Sequence, residues 1–214
     1  MVIRSDWRIG PSTVERAASS TTAAMAAAAE TLQSHIEFVL DERVGGLNDD
    51  QRRFLDVAVR YGDRLVRLVE DMRTVALGES GELEASWSRF DLAACVRAAA
   101  DQVWPVAHVE GKRLGVHHEG PVWVDGDEGR VARAVLALLT DAVDAAPAGT
   151  AISVSVDEGA VGLVYEGDAP SELALALAET IAALHGGDLT VRASDDAVAI
   201  GFRLETPAAV THAA

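Results

Sequence analysis

The most constraining feature of this chain is a row of apolar residues that alternates four and three without a break: Phe54, Ala58, Tyr61, Leu65, Leu68, Met72 and Val75. A 3.5-residue period held for three heptads specifies a helix that buries one stripe against other helices. Asn48 opens the helix with Gln51 at the capping-box position, and Gly78 and Gly81 stop it. An earlier helical run extends from Pro11, with Ser12 and Glu15 at capping-box spacing, to the Gly45-Gly46 pair. Its seam is Ala18, Met25, Ala28, Leu32, His35 and Val39. Two helices joined by a short turn make an antiparallel hairpin. One hairpin cannot bury both stripes, so the expected state is a homodimer in which two copies build a four-helix bundle, the alternative being a monomeric hairpin packed on the second domain. Its core would be Met25, Leu32, His35, Phe54, Tyr61, Leu65, Leu68 and Met72.

Beyond the hairpin the pattern changes. GESGELEASWSRFD is a polar linker, and from Phe90 helix and strand signals alternate. FDLAACVRAAADQVWPVA, EGRVARAVLALLTDAVDAA and SELALALAETIAALH read as helices. LGVHH, VWVDG, AISVSV, VGLVYE, DLTVRA and AVAIGFRLE read as strands. This alternation implies an α+β sandwich with helices on one face of a mixed sheet. The expected organisation is an N-terminal arm (1–10), a dimerisation hairpin (11–77), a linker (78–89), a sandwich (90–206) and a disordered tail (207–214).

The charge narrows the function. There are 34 Asp+Glu against 18 Lys+Arg, a net charge of -16, so nucleic acid and anionic membranes are repelled over most of the surface. The single cysteine, Cys95, excludes a disulfide framework and fits a reducing compartment. The histidines make no metal-ligand spacing, and no metal is expected. No apolar run reaches the ~20 residues of a membrane span, and the N-terminus lacks a signal-peptide core. A cytoplasmic protein is expected.

The order of these segments resembles the core of a bacterial sensor histidine kinase, in which a dimerisation and phosphotransfer hairpin precedes a Bergerat-type ATPase domain. LNDDQRRFLDVAVRYGDRLVRLVEDM is similar to the second hairpin helix, and FDLAACVRAAA to the start of the ATPase domain. VDGDEGRVARAVLALLTDAVDAAPAGTAISVSV resembles the region of the asparagine box. LALALAETIAALHGGDLTV resembles the helix and HGG turn after the second glycine box.

The resemblance also exposes departures. Matching the leucine of a HELRTPL-like motif to Leu32, and the later aromatic to Phe38, puts Ala26 at the phosphoacceptor position. A methyl group accepts no phosphoryl group, whereas imidazole is a good nucleophile at neutral pH. The asparagine-box positions fall on Asp141 and Asp144. The first glycine box falls on Glu166, Asp168 and Pro170, and the second on Glu172 and Ala174. Carboxylates there oppose a phosphate chain that would otherwise use free backbone N–H groups. Pro170 runs directly into Ser171, so the mobile lid of the family is missing.

The resulting expectation is a protein that is not an enzyme, with no cofactor, and that acts as a dimeric regulator through protein binding. The resemblance implies docking of a response-regulator receiver domain, or of another signalling protein, on the hairpin. The matching positions are Glu30, Gln33, Ser34 and Glu37 on the first helix and Arg60, Arg64 and Arg67 on the second. A basic ridge in an acidic protein could complement the acidic pocket of a receiver, or be a solvated face with i, i+4 pairs such as Arg60 with Asp56 and Asp63 with Arg67. The alternatives are a histidine phosphotransferase-like relay, with His35 as acceptor, or a sensor of a cation or small ligand in the acidic pocket.

Overall fold

The structure is a computed structural model. It describes the chain outside residues 1–10, 42–44, 195–196 and 206–214, and outside the side chains of residues 11–23, 26 and 33. The expected arm, the expected tail and the Ser12–Glu15 cap therefore lie outside the described residues. The chain divides into two compact units, Met1–Ser80 and Gly81–Ala214.

The first unit is a helical hairpin of α1 (Pro11–Leu40) and α2 (Asp49–Glu79). The capping box at the start of α2 is complete: Gln51 N–H donates to Asn48 Oδ1 at 2.8 Å, and Asn48 N–H donates to Gln51 Oε1 at 3.0 Å. Asp49 and Asp50 in the first turn add favourable charge at the positive end of the helix dipole.

Helix α2 carries two apolar rows. Leu55, Val59, Gly62, Val66 and Val69 are buried or half-buried. The row read from the sequence lies beside it and is largely open: Phe54 is 76% exposed and Tyr61 68%, Leu65, Leu68 and Met72 are also exposed, and Ala58 and Val75 are half-buried. In α1, Ala29 is buried and Ile36 half-buried, whereas Met25, Ala28, Leu32 (56%) and His35 are exposed.

The second unit is an α+β sandwich, as the alternation of signals implies. Strands β1 (Ser88–Asp91), β2 (Arg113–His117), β3 (Trp123–Gly126), β4 (Ala151–Asp157), β5 (Ala160–Tyr165), β6 (Leu189–Ala193) and β7 (Val198–Arg203) are interleaved with α3 (Leu92–Val109), α4 (Glu128–Ala145) and α5 (Glu172–Leu184). The main sheet has the order β2-β4-β5-β7-β6, with β2 parallel to β4 and the other neighbours antiparallel. β1 and β3 form a separate antiparallel pair. The stretch expected as linker thus contains the end of α2 at one side and the start of β1 at the other.

Alternation decides the sheet's two faces. Ile152, Val154 and Val156, Val161, Leu163 and Tyr165, and Val198, Ile200 and Phe202 all point to the helix side and are buried. The layer above them comprises Val96, Ala99 and Val103 of α3, Val131, Val135, Leu138 and Leu139 of α4, and Leu177, Ala178 and Ile181 of α5. Small core residues such as Ala99, Ala134 and Ala178 allow the helices close approach. Cys95 sits in this layer; burial, then Glu128 and Asp91, push its thiol up to about 12, which leaves it an inert packing residue. Asp91 caps α3 by accepting from Ala93 N–H at 3.0 Å and holds Val122 N–H at 2.9 Å.

Candidate functional site

The sequence points to two places, one on each unit. The first lies where the end of α4 meets the start of α5. β5 ends at Tyr165 and α5 begins at Glu172, so only Glu166–Ser171 lie between them and no lid is present. The turn is drawn tightly onto α4. Gly167 has φ +133°, and a Cβ there would fall 2.5 Å from the Ala145 carbonyl oxygen. Only glycine tolerates both the backbone angle and the approach.

Asp141 and Ser171 govern the helix start. Ser171 Oγ accepts from Ala174 N–H at 3.3 Å, and Asp141 Oδ2 accepts from Ser171 N–H at 2.8 Å. Together they occupy two of the backbone donors that an exposed helix N-terminus offers to an anion. Below them, the fully buried Tyr165 donates its hydroxyl to Asp168 O at 2.8 Å. Burial, with Asp141 and Asp168 nearby, pushes that phenol up to about 12.

The other predicted residues surround this turn. Glu166, Asp168, Glu172 and Asp144 are exposed, Pro170 and Ala174 are buried, and Asp141 is half-buried. Among the described residues, no group of three or more His, Cys, Asp or Glu side chains could hold a metal ion. Four exposed carboxylates surround an N-terminus that Asp141 and Ser171 already cap, so the local charge disfavours an anion at this turn.

The second place is the hairpin surface. Ala26 lies in α1, but its side chain and that of Gln33 are outside the described residues. Glu30, Ser34 and Glu37 are exposed on α1, and Arg60, Arg64 and Arg67 are exposed on α2. Helical geometry adds Arg53 to the same face, seven residues before Arg60 and also exposed. That arginine was legible from its spacing and is missing from the ridge read in the sequence. Ser171 and Tyr165 were not legible as site residues, because their partners lie elsewhere in the fold.

His35 is exposed, and its Nδ1–H donates to Thr31 O at 2.7 Å. This bond selects the tautomer that leaves the Nε2 lone pair directed away from the backbone.

No protein-family model and no curated protein matches the chain. Solved structures do. The Acinetobacter baumannii histidine kinase AdeS is similar with a TM-score of 0.57 and 20% identity, over 84% of this chain and 95% of that one. Full-length ShkA, solved in complex with AMPPNP, gives a TM-score of 0.66 and 20% identity over 91% of this chain, but 47% of its own. A histidine kinase from Burkholderia phymatum gives a TM-score of 0.51 and 19% identity, over 89% and 97%. The fold is that of a histidine kinase core, a helical hairpin followed by an ATPase-type sandwich.

These neighbours correct one expectation. The expectation that the chain is not an enzyme rests on substitutions at motif positions and on the missing lid. Histidine kinases are enzymes, and nothing in this fold marks the chain as catalytically dead. Substitutions judged against a motif test only that motif's chemistry. Among the described residues, no helix is long and apolar enough to cross a membrane.

Proposed function

We propose that this chain is a two-component-type signalling protein that works as a homodimer and docks a receiver domain on its hairpin. The observation that carries the reading is the second apolar row of α2, from Phe54 through Tyr61 and Leu65 to Met72, left exposed beside the row that packs in the hairpin. A helix with two adjacent heptad rows is built for a bundle of more than two helices. Met25 and Leu32 on α1 supply the matching exposed positions.

The arginine face of Arg53, Arg60, Arg64 and Arg67 borders this row in a protein of net charge -16. A receiver's acidic phosphorylation pocket is its natural complement, and the polar face of α1 around Glu30, Ser34 and Glu37 gives the remainder of such a surface. The experiment pairs sedimentation of the purified chain with capture of its partners. A dimer that retains a receiver-domain protein, and loses it on Arg64→Glu, supports the reading. A monomer, or a bound set without any receiver, sinks it.

A second reading is favoured by one observation, the orientation of His35. Its exposed Nε2 has the form of a phosphoryl acceptor in a relay. Incubation with a phosphorylated receiver tests this directly: acid-labile phosphate on His35, lost in His35→Gln, supports the relay, and no transferred label removes it.

A further inference from the structure

The first residues of the second unit are tethered to the sandwich before β1 begins. Ser86 N–H donates to Asp127 Oδ2 at 2.9 Å, and Arg130 Nη2 donates to Glu84 O at 3.0 Å. The Trp87 ring lies 5.3 Å from the His185 ring, tilted 60° to it. These contacts make Glu84–Trp87 a strap, and all of them converge on one node.

Asp127 and His185 form that node. Asp127 caps α4: its Oδ1 accepts from Arg130 N–H at 3.0 Å, and Arg130 Nε lies 3.2 Å from Oδ2. His185 closes α5 and is 1% exposed. Its Nδ1 lies 2.7 Å from Ile181 O, and its Nε2 lies 2.9 Å from the backbone N of Asp127. A carbonyl only accepts and a backbone N–H only donates, so the ring carries its proton on Nδ1 and accepts at Nε2. The ring packs directly on the β3 backbone, where a Cβ on Gly126 would come within 2.8 Å of it.

We propose that His185 is a proton-operated latch: protonation at Nε2 removes the acceptor for Asp127 N–H and frees the strap Glu84–Trp87 from the sandwich. A doubly protonated ring sets two donors against each other in a buried space, and a buried donor without an acceptor is costly. A ring flip gives no relief, because it places carbon where both hydrogen bonds now form.

The charged groups around the ring come from each element packed there. Asp127 and Arg130 stand at the start of α4, Glu84 lies on the strap, and Glu205 lies beside Gly186 in the turn after His185. The Asp127 carboxylate is engaged by Arg130 and by Ser86 N–H. Reorienting it toward an imidazolium would release Ser86, which is the route from the proton to the strap.

The test is hydrogen exchange of the Ser86 amide by NMR on the full chain, from neutral to mildly acidic pH, corrected for intrinsic exchange. The wild type is expected to lose protection several-fold on acidification. His185→Gln, whose side-chain carbonyl can accept from Asp127 N–H without titrating, should keep it. Protection that does not change with pH, or that falls equally in His185→Gln, overturns the latch. A second readout needs no variant: the ring-nitrogen shifts of His185 in the wild type must report Nε2 protonation with the midpoint of the Ser86 exchange. A different midpoint also overturns it.

Discussion

Gly126 lies against His185 so closely that a Cβ on the glycine would come within 2.8 Å of the imidazole Nε2 and 3.3 Å of the Phe90 ring. His185 is held at both nitrogens and Phe90 is buried, so neither ring can yield without losing bonds or packing. Gly126→Ala is therefore expected to destabilise the sandwich by about 1–3 kcal/mol, the usual cost of overpacking. Thermal unfolding checks this; a midpoint within a degree of the wild type would show that the β3 backbone moves freely.

Asp141 is expected to act as a cap on α5. Removing its carboxylate in Asp141→Ala leaves Ser171 N–H without its acceptor and should cost about 1 kcal/mol, as loss of a helix cap does. Because the same carboxylate opposes an anion at that end of the helix, Asp141→Ala should show a larger thermal shift with magnesium nucleotide than the wild type. Equal shifts in the two proteins would show that Asp141 does not bear on an anion at this turn.

Asp91 gives the sandwich an acid limit. Partial burial alone would raise its pKa, but the N–H groups of Val122, Ala94 and Ala93, with Arg97 nearby, outweigh it and hold the carboxylate below its ordinary value of 3.8. A depressed folded-state value contributes stability that is complete above the unfolded value and is lost as pH falls through the folded one. Wild type should thus lose stability relative to Asp91→Asn below about pH 4, with a constant difference between the two at neutral pH. Denaturant midpoints across that range are the measurement, and parallel curves down to the most acidic point would refute the assignment.

The legibility of this chain follows the range of the interactions involved. The α2 stripe and its Asn48–Gln51 cap are local, and both stand in the sequence at their period and spacing. Strand alternation likewise shows the one-sided sheet, since β4 reads exposed and buried in strict turn. The inner row of α2 was masked because Gly62 and Val66 look unremarkable beside Phe54 and Tyr61. Large side chains drew attention to the open face instead. The strap reads in the sequence as a polar linker in which only Trp87 stands out as a packing residue, because Ser86 and Asp127 are bonded far apart in the chain. Asp141 was recognised as a departure from a nucleotide motif, but its bond to Ser171 depends on how tightly Gly167 draws the turn onto α4. No pattern along the chain reports that approach.

The exposed row of α2 makes the strongest quantitative demand. Phe54 and Tyr61 lie one heptad apart on it, and each occurs twice in a symmetric dimer. Burying such a side chain is worth about 1.5–3 kcal/mol, so losing both copies of one removes about 3–6 kcal/mol from association. At 1.4 kcal/mol per tenfold, Phe54→Glu should weaken the dimer by about a hundredfold or more, and Tyr61→Glu comparably. Neither residue packs in the hairpin interior, so helix content at high concentration should stay near wild type in both variants. Sedimentation equilibrium with circular dichroism separates the outcomes. A dimer of unchanged affinity would assign the row to another partner, whereas loss of helicity together with assembly would show that α2 depends on the second copy to fold.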